Sequence, residues 1–362
     1  MNVKEIKSKE KVPVSVVITN YNGERTLVDT IGSLLRLQGV DPNIVVIDDG
    51  STDNSIADAE NAFADLTVIR KGRNTKAINS LRNEGVSHTK TEFVFVIDND
   101  VTFEADCLHE LLNVMKSDDK IAVCIPILMN WHDRERIYVA GGKFHYIGAS
   151  ISPNRGEKLE DVGIETGFGM GGGIALFRKA VFDQLGGFDE NYMLAWGDDG
   201  ELHQRMVAAG HKAYLVASAI GYHEEKPFSS ERYYRAIGQL HNRFYFIATY
   251  YDIRTLVILF PALLLYEFVQ FTFFAVKRMP MQYFSGYKLA IESFPKTLKK
   301  RKEIQQLKTV SDRELLFSGP LLVAKSTLGK LDILGGAITA LSYFYVGYWA
   351  IARHLIKARI KK

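Results

Sequence analysis

Phe93-Val-Phe-Val-Ile-Asp-Asn-Asp100 is the stretch from which the rest of the chain is read. Phe93 to Ile97 run without a polar break. A short apolar run of aromatic and β-branched residues fits a strand buried on both faces, as in a parallel sheet. The run ends in Asp98, Asn99 and Asp100. If strand geometry continues, residues two apart point to one side, so both carboxylates aim the same way. Like charges that close repel unless a cation lies between them or one is protonated. In open α/β sheets, ligands sit outside the carboxyl ends of the strands. An acid pair there suits a hard divalent cation, which in turn grips phosphates. The bland alternative is a solvated turn, which Asp and Asn favour.

Working outward, apolar runs alternate with helical periodicity. Val14 to Ile18 reads as a first strand, ending in Thr19-Asn-Tyr-Asn-Gly23. Leu27, Ile31, Leu34 and Leu35 then share one helical face. A second strand, Ile44 to Ile47, ends in Asp48-Asp-Gly-Ser-Thr-Asp53, where Ser51 or Asp53 can cap a helix over 54–64. A strand at 66–69, a helix at 75–87, the Phe93 strand, a helix carrying Leu108, Leu111, Leu112 and Met115, and a strand at 121–125 complete the series. Such β-α alternation predicts a mainly parallel, doubly wound sheet. Beyond Pro126 the pattern loosens into short strands and glycine-rich loops. Asp198-Asp199 precedes a helix in which Leu202 and Met206 share a face and Glu201 can pair with Arg205. A strand at 214–216 leads to His223.

The chain has 362 residues, enough for two domains, and a net charge of +3, which argues against a nucleic-acid binder. Cys107 and Cys124 fall in core-like segments, which suggests a reducing compartment. The N-terminus has no apolar core of the kind a secretory signal needs, so the front of the chain is expected in the cytosol. From about residue 229 the composition turns basic and aromatic. Leu256 to Val276 and Ile333 to Ile351 are strongly apolar, with Lys299-Lys-Arg-Lys302 between them. Two spans would place those cations away from the cytosol, against the positive-inside tendency. The expected arrangement is therefore a helical region lying in, or partly entering, the cytosolic leaflet, with the cations on anionic lipids. The competing arrangement is a helical core or a homo-oligomer interface.

Taken together the motifs form a series: Val17-Ile-Thr-Asn-Tyr-Asn-Gly23, Val46-Ile-Asp-Asp-Gly-Ser-Thr-Asp53, Arg82-Asn-Glu-Gly-Val86, Val96-Ile-Asp-Asn-Asp100, Leu185-Gly-Gly-Phe-Asp-Glu190 and Trp196-Gly-Asp-Asp-Gly-Glu-Leu202. Over residues 12–230 this resembles the family 2 glycosyltransferases with the GT-A fold, among them rhamnosyltransferase-like enzymes of cell-surface glycans. The resemblance implies a Rossmann-like nucleotide-diphospho-sugar transferase domain at 1–230 and a membrane-associated helical region at 231–362. It implies an inverting transfer to a glycan or lipid-linked acceptor at the cytoplasmic face of the membrane. It also implies roles for residues. Thr19, Tyr21, Asp48, Asp49, Arg82 and Asp98 would bind the nucleotide sugar. Asp100, with Asp98 and His223, would hold Mg2+ or Mn2+. Asp199 would be the general base, its helix N-terminal position favouring the ionised form. Trp196, Asp198 and Arg205 would serve the diphosphate and the acceptor. Asp198 stands where the family more often has Glu.

Three rival readings are open on the sequence. Gly167, Gly169 and Gly172 fit a dinucleotide fingerprint, but no convincing strand precedes them. A nucleotidyltransferase acting on sugar phosphates needs a glycine-rich, arginine-bearing loop after the first strand, where this chain has Thr19-Asn-Tyr-Asn22. A non-catalytic membrane scaffold would have no use for Asp49, Asp98, Asp100 and Asp199.

Overall fold

The structure is a computed structural model that describes residues 11–193, 197–224, 232–321 and 335–358. Its centre is a mixed sheet. The strands are β1 (Val12–Asn20), β2 (Val40–Asp48), β3 (Thr67–Arg70), β4 (Phe93–Asp98), β5 (Val101–Phe103), β6 (Ile121–Asn130), β7 (Ile137–Val139), β10 (Gly167–Phe168), β11 (Ala175–Arg178) and β12 (Lys212–His223). A separate small ribbon pairs β8 (Lys143–Phe144) with β9 (Ser150–Ile151). The main order is β10-β12-β6-β11-β4-β1-β2-β3, with β5 on β12 and β7 on β6. Pairs β1–β2, β1–β4, β2–β3 and β6–β12 are parallel. Strand β11 wedges in antiparallel between β4 and β6.

Each central strand is buried on both faces, as its unbroken apolar run requires. Val14, Val16 and Ile18 face α1 (Leu27–Leu35) and α4 (Cys107–Ser117), while Val17, Val94 and Val96 join the opposite core with Leu81 and Val86 of α3 (Ile78–Ser87). Both cysteines are buried free thiols. Helix α2 (Ser55–Ala62) begins where Asp53 accepts hydrogen bonds from the Ser55 amide at 3.1 Å and its hydroxyl at 2.6 Å. Gly85 packs against β1: a Cβ there would lie 2.3 Å from a methyl of Val17.

Two strand expectations change. The strand at 214–216 is the middle of β12, which continues through a register shift between Val216 and Ile220 to end at His223. And β4 stops at Asp98. Asn99 and Asp100 form a turn into β5, so that turn, and not the pleat of a continuing strand, sets where Asp100 points.

After α5 (Lys179–Gln184) and α6 (Gly200–Ala208), the C-terminal part is helical: α7 (Arg232–Tyr250), α8 (Ile253–Val276), α9 (Pro280–Glu292), α10 (Phe294–Leu307), α11 (Asp312–Leu315) and α12 (Gly335–Leu355). The expected boundary at 230/231 lies outside the described residues. Phe246, Tyr250, Leu259, Tyr345 and Trp349 share one core with Leu202 and Met206 of α6. The Glu267 carboxylate of α8 is held by Arg243 of α7 and Tyr287 of α9. Among the described residues, α8 alone is long and apolar enough to cross a membrane by length and composition. Residues 333–334 of the second apolar stretch are outside the description. The rest forms α12, whose Tyr345 and Trp349 are buried while Tyr343 and Ile351 are exposed.

The basic run is not uniformly turned outward. Arg301 donates to the carbonyls of Ala248 and Tyr251 at 2.6 and 2.8 Å, where the end of α7 leaves carbonyls without helical partners. Lys300 approaches Asp189 at 3.7 Å. Of the four cations, Lys299 and Lys302 are exposed.

Candidate active site

The site lies at the carboxyl ends of β1, β2 and β4, extended by the last residue of β12. Register fixes the first neighbours: Thr19 pairs with Asp98, and Asn20 with Asp48. Asn20 is the hub of the rim. Its Nδ2 donates to Asp48 (2.9 Å), Ser51 (3.1 Å) and Ser55 (3.1 Å), and its Oδ1 accepts from Asn99 at 2.6 Å. The rim is thereby tied into one hydrogen-bonded unit.

The acid pair on β2 is used by the chain itself. Asp48 accepts from Ser51 as well as Asn20. Asp49 accepts from the Thr75 amide at 2.9 Å, its hydroxyl at 2.7 Å and the Lys76 amide at 3.1 Å. A base reaching Asp49 would share that carboxylate with the 75–76 turn. Tyr21 is exposed beside Asn22, which has a left-handed φ of 49°.

Antiparallel pairing of β5 with β12 places His223 opposite Val101, next to the Asp100 turn. His223 Nε2 lies 3.5 Å from Asp100 Oδ1. One ligand atom from each of Asp98, Asp100 and His223 falls within 4.8 Å of the others. His223 Nδ1 is buried without a hydrogen-bond partner among the described residues, and the ring stacks on Tyr138 with centroids 4.4 Å apart. Two carboxylates and an imidazole converging in this way fit a divalent cation such as Mg2+ or Mn2+.

Arg82 joins this centre to a second one. The guanidinium is buried, 3.2 Å from Asp98 and 3.5 Å from Asp198. Gly173 makes room for it: a Cβ there would meet Arg82 Nη2 at 2.3 Å. Burial pushes the Asp98 carboxyl up, but the charges of Arg82 and His223, with hydrogen bonds from Arg82 and Thr19, bring it below the usual range. Asp198 stands well above that range, because it is buried and faces Asp199. Asp199 caps α6 by accepting from the Gly200 amide at 2.6 Å. Its carboxyl is nonetheless raised: burial outweighs Arg82 and the Gly200 hydrogen bond, and Asp98 adds repulsion. The expectation that the helix end favours the ionised form is therefore corrected in its net effect. A cleft of about 220 Å³ opens over this pair, lined by Lys143, Phe144, Gly171, Gly172, Asp198 and Asp199.

Substituting Arg82 by Met leaves Asp98 and Asp198 without their shared cation. A loss of roughly 3–5 kcal/mol in unfolding free energy is expected, read from urea denaturation. An unchanged midpoint and slope would show that the pair needs no such partner.

Arg205 is not brought to the site. It is buried against Glu201 at 2.8 Å and donates to the carbonyls of Leu185 and Gly187. The i,i+4 spacing predicts this Glu201 partner. Trp196 lies outside the described residues. Sequence pattern gives no role to Asn79, whose Nδ2 donates to the carbonyls of both Asp189 and Asp198 at 2.9 Å. Nor does it explain Asn83, which exchanges two hydrogen bonds with the backbone of Phe188. The Arg82-Asn-Glu-Gly85 motif did point to this helix, though not to these partners.

The region that carries the site is similar to known proteins. The glycosyl transferase family 2 model matches residues 15–186, and the model described as the N-terminal domain of galactosyltransferase matches residues 164–227. The O-antigen chain rhamnosyltransferase WbaN of Salmonella anatum is 29% identical over 49% of this chain and 54% of its own length. The O-antigen chain rhamnosyltransferase RfbN of Salmonella typhimurium is 25% identical over 61% and 69%. The chain thus spans about half of the first of these relatives. Among solved structures, GalNAc-T7 with UDP, GalNAc and Mn2+ superposes with a TM-score of 0.53 at 18% identity, over 68% of this chain and 49% of that one. It shares the fold. The chain carries a glycosyl transferase family 2 domain over residues 15–186, built on a GT-A sheet.

Proposed function

We propose that the protein transfers a sugar from a nucleotide-diphosphate sugar to a hydroxyl of a glycan or lipid-linked acceptor, with inversion, at the cytoplasmic face of a membrane. One observation carries this reading: the buried Arg82 guanidinium lies between the Asp98–Asp100–His223 cluster and the Asp198–Asp199 pair, 3.2 Å from Asp98 and 3.5 Å from Asp198. Thr19, Tyr21, Asp48 and Asp49 frame the nucleoside end, with the 75–76 turn as part of the wall. Asp98, Asp100 and His223 would hold Mg2+ or Mn2+, which supplies charge neutralisation at the departing diphosphate. Asp199 takes the proton of the attacking hydroxyl. Rhamnose is the first donor sugar to try, since both named relatives are rhamnosyltransferases.

Calorimetric titration with nucleotide-diphosphate sugars, with and without Mn2+ or Mg2+, tests the donor side. Cation-dependent binding of at least one is expected. Binding of none, under either cation, would leave the scaffold reading. Pyrophosphate release from a nucleoside triphosphate and a sugar phosphate would favour a nucleotidyltransferase.

The membrane side rests on an exposed stripe along α8: Ile253, Val257, Phe260, Leu264, Phe268 and Phe271. Apolar surface on this scale marks an interaction site. Exposed Lys299 and Lys302 on α10 suit anionic headgroups. The double substitution Phe260→Glu with Phe268→Glu is expected to release the protein from vesicles containing anionic lipid, read by flotation. Undiminished flotation would refute this surface.

A further inference from the structure

Of the three groups in the cation cluster, His223 is oriented in an uncommon way. Its backbone is fixed on both sides. It pairs with Val101 of β5 and with Asn130 of β6, and its carbonyl accepts from the Trp131 amide at 2.9 Å. The side-chain torsions remain, and the last of them, an sp³–sp² bond, is soft. A histidine that binds a metal through one nitrogen ordinarily donates from the other to a carboxylate or a carbonyl, which sets the plane of the ring. Here Nε2 is the nitrogen near Asp100, at 3.5 Å, and Nδ1 has no hydrogen-bond partner among the described residues.

A neighbouring ring stands where that hydrogen bond would be expected. Tyr138 and His223 stack with centroids 4.4 Å apart and planes 7° from parallel. Stacking is a preferred arrangement of aromatic pairs, and it restrains the tilt of both rings. Tyr138 is itself restrained. It is the middle residue of β7, whose Ile137 and Val139 pair with Met129 and Leu128 of β6. Strand β6 therefore sets the register of both rings. The Arg155 guanidinium also covers the tyrosine, 4.3 Å from the ring centroid, and its Nη1 donates to the Tyr138 carbonyl at 3.4 Å. A ring held by its strand and by a cation is a firm surface for a second ring.

We propose that Tyr138 is a positioning residue for His223: its ring holds the imidazole with Nε2 toward Asp100, so that the three donors converge before a cation arrives. The inference rests on the reading of Asp98, Asp100 and His223 as the site of Mg2+ or Mn2+. It deepens that reading by assigning the residue that orients the nitrogen ligand. Tyr138 gives no donor atom to the cation and acts only through the ring of His223.

The test titrates Mn2+ calorimetrically into the full-length protein, into Tyr138→Leu and into Tyr138→Phe, with no nucleotide or sugar present. Loss of a group that orients a metal ligand costs about 10- to 100-fold in affinity, so Tyr138→Leu should weaken Mn2+ binding by about tenfold or more. Tyr138→Phe keeps the stacked ring and should bind within about twofold of the parent. The metal-free protein gives a second readout. With isotope-labelled histidine, the parent should show one sharp His223 ring signal, displaced by the Tyr138 ring current and assigned by its absence from His223→Gln. Tyr138→Leu should shift and broaden that signal, as the imidazole samples several orientations. The signals of His145 and His203, both buried, should stay in place. Damage to the fold would move them too. Unchanged Mn2+ affinity in Tyr138→Leu overturns the proposal. So does a weakening in which the His145 and His203 signals also move, or one that Tyr138→Phe shares. If Tyr138→Leu does not fold, Tyr138→Ile, a better strand former, is read in the same way. Should the parent bind no Mn2+, the cation reading fails separately, and the histidine spectra decide the positioning alone. A broadened His223 signal in the variant supports it, and one that stays sharp and in place overturns it.

Discussion

Asp199→Asn is expected to lower the turnover number by about 10²- to 10⁴-fold, the usual contribution of a general base, while donor affinity stays within about twofold. The substitution is nearly isosteric, and the amide oxygen can still accept from the Gly200 amide that the carboxylate now caps at 2.6 Å. The helix start therefore survives. One negative charge leaves a buried site that also contains Asp198 and faces Asp98, so the variant should unfold at a slightly higher temperature than the parent. Loss of rate with gain of stability is hard to produce by general damage to the fold. The same site fixes the direction of the pH dependence. Burial holds the Asp199 carboxyl above its ordinary value, and a base acts only when ionised. The rate should therefore fall as pH is lowered, with the midpoint above the usual carboxylate range, and the variant should lose this acid limb. Turnover near the parental rate, or an acid limb that persists in Asp199→Asn, would remove Asp199 from the role.

Much of this arrangement was legible in sequence, for a physical reason. Strands buried on both faces must be apolar throughout, so β1, β2, β4 and β6 announce themselves, and the acids at their ends mark the rim of a parallel sheet. Strand direction is another matter. Ile174 to Phe177 is a short apolar run, but nothing in such a run tells which way it goes, and β11 lies antiparallel between two strands of the opposite direction. The three residues of β5 exist because β12 offers them a partner more than a hundred positions away. Without β5 the reading of Asp98 and Asp100 as alternate residues of one strand is natural, though a turn in fact brings them together. The asparagines are the largest gap. Asn20, Asn79, Asn99 and Asn242 look like turn or helix-surface residues in sequence, yet each spends its carboxamide on a remote backbone or side chain. The helical region shows the same division. Its apolar character is plain in the residues, whereas the choice of Tyr345 and Trp349 for the core and of Phe260 and Phe268 for the surface depends on how the helices dock.

Asp100→Ala should weaken Mn2+ binding by more than about 100-fold, beyond what loss of an outer-sphere contact costs. Binding of a nucleoside diphosphate should then become the same with and without the cation. The choice of Asp100 over Asp98 follows from their surroundings. Asp98 is the anchor of Arg82 and accepts from Thr19, so its removal would strip a buried guanidinium of a partner and confuse loss of a ligand with loss of structure. Asp100 sits on the turn between β4 and β5, whose backbone is held from both sides: Thr30 donates to the Asn99 carbonyl at 3.0 Å, and Glu224 donates its amide to the Asp100 carbonyl at 3.0 Å. Removing its carboxylate leaves that frame in place. It also leaves the Arg82–Asp98 pair, which keeps Asp98 ionised without help from a cation. What disappears is one of the three converging donors, and with it the means of offsetting charge on a departing diphosphate, a contribution of about 10²–10³ in rate for an electrostatic contact of this kind. Calorimetric titration of Mn2+ into parent and variant reads the first effect without reference to any sugar. If Asp100→Ala retained the parent's cation dependence, the cluster of Asp98, Asp100 and His223 would be an acid–imidazole contact of the fold, and the cation would have to be held elsewhere on the rim.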